Sequence, residues 1–326
     1  MKNYKVIISP KEDYYKSINF CFGKENILQL ESNENTTKIN DMSVQLLEVQ
    51  NVVFYTLSDS NDVLFNMLPK SINKYIIFPY SVTELSDPKK LNELLLIIRY
   101  IDMKVVSGIY CIDYNTYLLL KEQYKFKYIK LDIDTKTVSN NNNSIGIIAK
   151  PNDYYSTIVN ELSAITLTNN DEVRLMKPLK AVRSFAKRFK IKVHKVNNID
   201  ELIRNNKINL YINFSATCYT FILESMDMGI PCIVGNTDFF DSNELLKKYL
   251  VVKSDDDINE MKEKIELVEK NSKIILKEYE IFRKKHKKES KKSIEEFKNS
   301  MRWFQCQIVL VKLKNNDKWI DKRTKF

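Results

Sequence analysis

Short, largely apolar runs recur along the first 131 residues, at positions 5–9, 52–55, 75–78, 105–109 and 128–131. They are rich in β-branched and aromatic side chains, the pattern of strands buried on both faces. A helix start stands between the third and fourth runs. Asp87 is a good N-cap and Pro88 suits the first helical position. Leu91, Leu94, Leu95 and Ile98 then fall at i, i+3, i+4 and i+7, which predicts one apolar helix face. Strands alternating with helices predict a parallel sheet with helices on its faces.

The polar run Ser139-Asn140-Asn141-Asn142-Asn143-Ser144 resists both helix and strand and reads as a linker. After it the alternation restarts. Strands are predicted at 145–149, 172–176, 191–194, 208–214, 230–234 and 250–252. A helix is predicted near 154–165, and another with Leu179, Val182, Phe185, Ala186 and Phe189 on its face. From about residue 255 a helical pattern runs toward Phe297. The expected organisation is an α/β chain with two Rossmann-like parallel-sheet domains, residues 1–138 and 145–270. A linker at 139–144 joins them, and a basic C-terminal helix and tail follows at 271–326.

Composition narrows the chemistry. The chain has 326 residues, 5 of them glycine, which argues against a glycine-rich phosphate loop. Five cysteines stand far apart with no CxxC pair, so neither a zinc site nor a disulfide framework is expected. Only two histidines are present, His194 and His286, and His194 reads as structural. Asp132 and Asp134 form a carboxylate pair, but they lie just before the linker, and no metal site is expected. The longest apolar run, Leu94 to Ile98, is far short of the ~18 residues of a spanning helix, and the N-terminus lacks a signal-peptide pattern. A cytoplasmic protein is the expectation. The net charge is +10, and residues 271–326 hold 17 basic and 7 acidic residues, which is the whole excess. Arg283-Lys284-Lys285-His286-Lys287-Lys288 reads as a solvated helix face. A localised basic segment also suits an anionic membrane surface.

Residues 209–235 carry the most specific pattern: strand, polar loop, helix, tight turn, strand. Tyr219, Ile222, Leu223 and Met226 form the expected buried face, and Glu224 lies off it, one turn beyond Thr220. Gly229 suits a left-handed helix end, and Pro231 prevents continuation. Ligands of open α/β sheets bind at the C-terminal strand edge, where this loop sits. The helix N-terminus suits a diphosphate, and a carboxylate one turn further in suits ribose hydroxyls.

Leu223-Glu224-Ser225 followed by Gly229-Ile230-Pro231 resembles the donor-binding motif of GT-B glycosyltransferases of the family-4 retaining type. The resemblance covers residues 144–252 and, weakly, the first domain through Val82-Thr83-Glu84-Leu85-Ser86-Asp87-Pro88. It implies a GT-B-like fold, two domains facing a cleft, with a long C-terminal helix crossing back to the first domain. It implies that Glu224 binds the ribose of a nucleotide-sugar. Lys150 and the loop bearing Ser215, Thr217, Tyr219 and Thr220 would then hold the diphosphate. Three departures stand out. Ala216 occupies the position of a second glutamate near the donor sugar. Lys150 replaces an arginine, and Tyr155 a lysine. Ser9-Pro10-Lys11-Glu12-Asp13 replaces a glycine loop in the first domain.

The function implied is transfer of a sugar, as a hexosyltransferase of polysaccharide biosynthesis does, from a nucleotide-sugar co-substrate to a cell-surface glycan, glycolipid or protein acceptor. No cofactor is expected, and no catalytic side chain is assigned. The alternative is a catalytically inactive GT-B-fold subunit that binds glycan or partners an active glycosyltransferase. The basic C-terminal segment would hold the protein at the inner face of an anionic membrane, at ~1 kcal/mol per well-placed cation. Nucleic acid is not an expected partner.

Overall fold

The apolar runs assemble into two all-parallel sheets, one of six strands and one of five. The computed structural model describes residues 4–9, 15–134, 143–148, 158–176, 178, 180–204, 206–211, 219–254 and 256–314, without the side chains of 83, 199, 200 and 302–314. The first sheet holds β1 (Tyr4–Ile8), β2 (Ile27–Gln29), β3 (Asn51–Tyr55), β4 (Asn73–Phe78), β5 (Gly108–Cys111) and β6 (Lys127–Tyr128), in the order β2-β1-β3-β4-β5-β6. Between them run α1 (Tyr15–Phe22), α2 (Thr36–Leu46), α3 (Asp59–Met67), α4 (Pro88–Asp102) and α5 (Tyr114–Tyr124). The second sheet holds β7 (Ile145–Ile147), β8 (Glu172–Met176), β9 (Lys192–Val196), β10 (Ile208–Tyr211) and β11 (Cys232–Val234), in the order β11-β10-β7-β8-β9. Its helices are α6 (Ile158–Thr166), α7 (Lys180–Arg188), α8 (Ile199–Arg204), α9 (Tyr219–Asp227) and α10 (Glu244–Leu250). The chain then enters α11 (Ile258–Lys314).

Register sorts the first sheet into two apolar faces. Ile7 pairs with Phe54, and Phe54 with Ile76, on the face that packs under α2, α3 and α4. Val6 pairs with Val53, and Val53 with Tyr75, on the opposite face. A parallel sheet needs cover on both faces. The second face is covered by Ile18 and Phe22 of α1 and by Ile294, Phe297 and Met301 of α11. The same helix begins in the second domain, where Met261, Ile265, Val268, Ile275, Tyr279 and Phe282 enter the core. Its 57 residues amount to roughly 85 Å of helix, enough to reach across both domains. A break at Asn271 (φ −117°, ψ 16°) divides it. The long C-terminal helix therefore crosses back to the first domain, where its Ile294, Phe297 and Met301 are core rather than tail.

Asp87 caps α4 by accepting from Lys89 N at 2.9 Å, with Pro88 at the first position, as expected. The apolar face of that helix is rotated from the predicted one. Leu91 and Leu95 are 40% and 54% exposed, whereas Leu94, Ile97 and Tyr100 are buried. Residues 94–98 are all apolar, so spacing could not choose the face. Glu93 chooses it, because its carboxylate accepts from Thr56 Oγ1 and, at 3.0 Å, from Tyr80 OH beneath the helix.

Other strand limits also shift. Val105 N bonds Tyr100 O at 3.2 Å and finishes the α4 turn, so β5 starts only at Gly108. Leu250 ends α10, and Val251 makes only an isolated bridge to Val234. Residues 212–214, Ala149, the start of the helix predicted from 154, Leu179 and most of the predicted linker lie outside the described residues. No described helix is long and apolar enough to cross a membrane.

Candidate functional site

β10 ends at the sheet edge that faces the first domain, and the next described element is α9. A buried polar network sets how that helix is turned. Asn209 Nδ2 donates to Ser225 Oγ at 2.9 Å, Asn206 Nδ2 donates to Asn209 Oδ1 at 2.7 Å, and Ser144 Oγ donates to Asn206 Oδ1 at 3.3 Å. Gly146 makes room for it, since a Cβ there would stand 2.2 Å from Asn206 Nδ2. The other end is closed by Gly229 at φ +69°, with Gly229 N bonded to Met226 O and Ile230 N to Ser225 O. That is the left-handed helix ending expected from the sequence.

So fixed, α9 presents Thr220 and Glu224, one turn apart, on one side. Glu224 is 3% exposed, and Lys16 Nζ of α1 lies 2.8 Å from its Oε1. The sequence placed Glu224 off the buried face. The structure agrees that it is off the helix's own core face and shows that it is nonetheless buried, against Lys16 of the first domain. Thr220 is 3% exposed and Ser17 of α1 is 1% exposed. Neither hydroxyl has a hydrogen-bond partner among the described residues. An unpaired buried hydroxyl costs about 1–3 kcal/mol, and both residues line the cleft between the domains.

Beside them, α5, α11 and the loop after β11 enclose a cleft of about 660 Å³, lined by residues that include Ser17, Tyr114, Tyr128, Tyr219, Thr220 and Phe239. Tyr219 stacks on Phe239 with ring centroids 4.8 Å apart. Its hydroxyl donates to Asp238 Oδ1 at 2.7 Å and lies 3.4 Å from Asp113 Oδ2. Asp113 belongs to the first domain, where it caps α5 by accepting from Thr116 N at 2.7 Å. Burial holds both carboxyls above the usual aspartate range, and Asp238 adds to the effect at Asp113. One tyrosine hydroxyl thus sits between carboxyls of both domains.

Lys150, Ser215 and Thr217, the other expected diphosphate contacts, lie outside the described residues, as do Ala216 and Tyr155. Tyr219 and Thr220 line the cleft, and Glu224 lies one turn beyond Thr220, against Lys16 of the first domain. Sequence reasoning missed Lys16, Ser17, Asp113 and Asp238. The Asp113-x-x-Thr116 spacing is a helix-start signal, but nothing along the chain shows that these groups meet across two domains.

The basic run is not a uniformly solvated face. Lys284, Lys285, Lys287 and Lys288 are exposed, whereas Arg283 and His286 are buried. Asp132, half of the paired carboxylates, bonds Arg283 Nη1. Among the described residues no group of three or more His, Cys, Asp or Glu side chains could hold a metal ion. His194 Nε2 lies 3.2 Å from Glu172 Oε2 at the edge of the second sheet, away from the cleft.

His286 gives the protein a measurable acid sensitivity. Burial, then Lys130, Arg283 and Lys287, push its imidazole down to about 2 from 6.5, and Asp132 nearby is already paired with Arg283. The unfolded chain binds a proton below pH 6.5 and the folded one does not, so stability falls as pH falls from 6.5 toward 2. Each pH unit costs about 1.4 kcal/mol. Asp113 and Asp238, with raised values, act in the opposite sense. Urea midpoints of the wild type and His286→Gln are therefore compared at each pH. The gap between them is expected to change by about 2–3 kcal/mol between pH 6.5 and 4.5, in favour of the variant on the acid side. A constant gap would contradict a neutral, buried His286.

No protein-family model matches this chain, and no curated protein sequence matches it. Solved structures do. TarM is 12% identical with a TM-score of 0.55, over 77% of this chain and 54% of TarM. The pneumococcal O-GlcNAc transferase GtfA, in complex with UDP and GlcNAc, is 10% identical with a TM-score of 0.56, over 81% of this chain and 59% of its own. WaaG, a glycosyltransferase involved in lipopolysaccharide biosynthesis, is 9% identical with a TM-score of 0.55, over 91% of this chain and 99% of WaaG. The chain spans a little over half the length of TarM and GtfA and nearly all of WaaG. Two parallel-sheet α/β domains facing a cleft, tied by a long C-terminal helix, give this chain the GT-B fold seen in glycosyltransferase structures.

Proposed function

We propose that this protein is a glycosyltransferase that takes a sugar from a nucleoside diphosphate donor and passes it to a glycan, lipid-linked or protein acceptor in the interdomain cleft. The observation that carries the reading is Glu224. It sits in a Leu-Glu-Ser…Gly-Ile-Pro pattern on the helix after β10 and is buried at the face turned to the other domain. A carboxylate there accepts from the ribose hydroxyls of a donor whose diphosphate lies toward the start of α9, where free N–H groups and the helix dipole favour negative charge. Thr220 stands one turn nearer that start. The cleft beside it offers the aromatic rings of Tyr114, Tyr128 and Phe239 and the carboxylates of Asp238 and Asp241, groups suited to the faces and hydroxyls of a sugar. Leaving-group departure as a stabilised diphosphate needs no protein nucleophile.

The test is thermal unfolding of the purified chain titrated with UDP, GDP, TDP and a set of UDP-sugars. A ligand at 100 times its dissociation constant stabilises the folded state by about 2.7 kcal/mol. One nucleotide is expected to raise the melting temperature, and Glu224→Ala is expected to abolish the rise. The selected donor is expected to be hydrolysed or transferred when acceptors are supplied. No shift with any nucleotide at millimolar concentration sinks the donor site. A shift without turnover favours the inactive-subunit alternative.

A further inference from the structure

α1 carries Lys16 and Ser17 in its first turn, and α9 carries Thr220 and Glu224 in its first two turns. The helices belong to different domains and come together at the cleft. Lys16 Nζ lies 2.8 Å from Glu224 Oε1; the lysine is half exposed and the carboxylate is buried. The Ser17 and Thr220 hydroxyls are buried, both residues line the cleft, and neither hydroxyl has a partner among the described residues. A junction that served only to hold two domains together has no use for two unpaired buried hydroxyls, because each is a loss that any paired or apolar replacement removes. A group rich in acceptor oxygens and bearing negative charge would complete both hydroxyls and offer the ammonium a second partner in place of Glu224. A diphosphate has that chemistry.

Building on the reading of Glu224 as the ribose carboxylate, we propose that Lys16 supplies, from the first domain, a cation for the diphosphate of the donor bound to the second. Without nucleotide, Glu224 holds the ammonium at the site. With nucleotide bound, the ribose hydroxyls occupy Glu224 and the ammonium turns to the phosphates, a movement that the flexible lysine stem allows. The donor then bridges the two domains, and closure of the cleft is coupled to the phosphates rather than to the base. Thr220 and Ser17 donate to phosphate oxygens from opposite sides.

Calorimetric titration of the full chain with UDP, GDP and TDP, each against its own nucleoside, tests this. Lys16→Ala is expected to weaken the selected diphosphate by about 10–100-fold and to leave the nucleoside within about twofold, whereas Lys16→Arg retains most of the diphosphate affinity. Glu224→Ala is expected to weaken diphosphate and nucleoside alike, since it removes the ribose contact. Equal or tighter diphosphate binding by Lys16→Ala overturns the proposal, the tighter case marking the ion pair as a latch that competes with ligand. Equal losses of diphosphate and nucleoside in Lys16→Ala also overturn it, because a mere domain clamp behaves so. A wild type that binds no nucleotide or nucleoside removes the donor reading itself and this proposal with it.

Discussion

Arg283→Met is expected to lower the unfolding free energy by about 3–5 kcal/mol. The guanidinium is buried, and its donors are shared between two other parts of the molecule. Nε and Nη2 reach the two oxygens of Asp227 at 2.7 and 2.9 Å, a bidentate fork on the last residue of α9. Nη1 bonds the buried Asp132, and Nη2 bonds Ile133 O at 3.1 Å, both where the first domain ends. Arg283 itself belongs to α11. Methionine keeps the apolar stem and removes the charge, so the carboxylates of Asp132 and Asp227 lose their guanidinium partner, Asp227 keeping the half-exposed Lys287 at 3.8 Å. Their mutual repulsion then acts at the seam between the domains. A lysine fills the volume and restores one charge but cannot form the fork, so Arg283→Lys is expected to recover only part of the loss. The triple variant Asp132→Asn, Asp227→Asn, Arg283→Met removes both carboxylates with the guanidinium, leaving the half-exposed Lys287 beside position 227, and is expected to be more stable than Arg283→Met alone. Urea midpoints followed by circular dichroism measure all three. A loss below about 1 kcal/mol in Arg283→Met would show that the cluster is solvated, as an exposed ion pair is.

Arg283 also shows where the sequence stops being legible. Arg283-Lys284-Lys285-His286-Lys287-Lys288 looks like a solvated helix face because local composition says nothing about what the helix crosses. The i, i+3 spacing puts Arg283 and His286 on one side, with Phe282 and Ser290 beside them, and all four are buried. That stripe is continuous with the apolar positions before and after it, so the periodicity held the information, but charge masked it. Elements defined by their own neighbours were readable. The two parallel sheets, the Asp87-Pro88 helix start and the Gly229 helix end all follow from local patterns of burial and backbone geometry. Limits that depend on distant residues were not. The α4 face is chosen by Glu93 meeting Thr56 and Tyr80, and the three-residue β2, Ile27–Gln29, is too short an apolar run to mark it as a strand. The candidate site divides the same way. Glu224 stood out through the residues around it, whereas Lys16, 208 positions away in sequence, could be found only once both domains were folded.

Phe297→Ala is expected to cost about 3–5 kcal/mol, and the loss is expected to fall mainly on the domain from which Phe297 is most distant in sequence. The ring is 1% exposed and meets Phe22, Tyr75 and Tyr110 edge-on, with centroids 5.5, 6.1 and 4.5 Å away. All three partners belong to the first domain. Two rows of polar contacts hold the same stretch of α11 in register: Ser293 Oγ accepts from Lys130 N at 3.0 Å, and Ser290 Oγ donates to Lys130 O at 2.9 Å. Further on, Tyr110 OH and Ser300 Oγ are 2.8 Å apart, and Lys298 Nζ donates to Cys21 O at 2.6 Å. Truncating the ring opens a cavity against α1, β4 and β5 that these bonds cannot close. Hydrogen exchange distinguishes the outcomes. Amides of β1, β3, β4 and of α11 beyond residue 290 are expected to lose protection first, while β7, β8, β10 and the first half of α11 keep theirs. Equal loss in both sheets would mean that the two domains unfold as one unit, with α11 transmitting the damage along its whole length. Loss confined to the first sheet would mean that the break at Asn271 and the Arg283 cluster insulate the second domain, so that its half of the cleft stays folded while the other half opens.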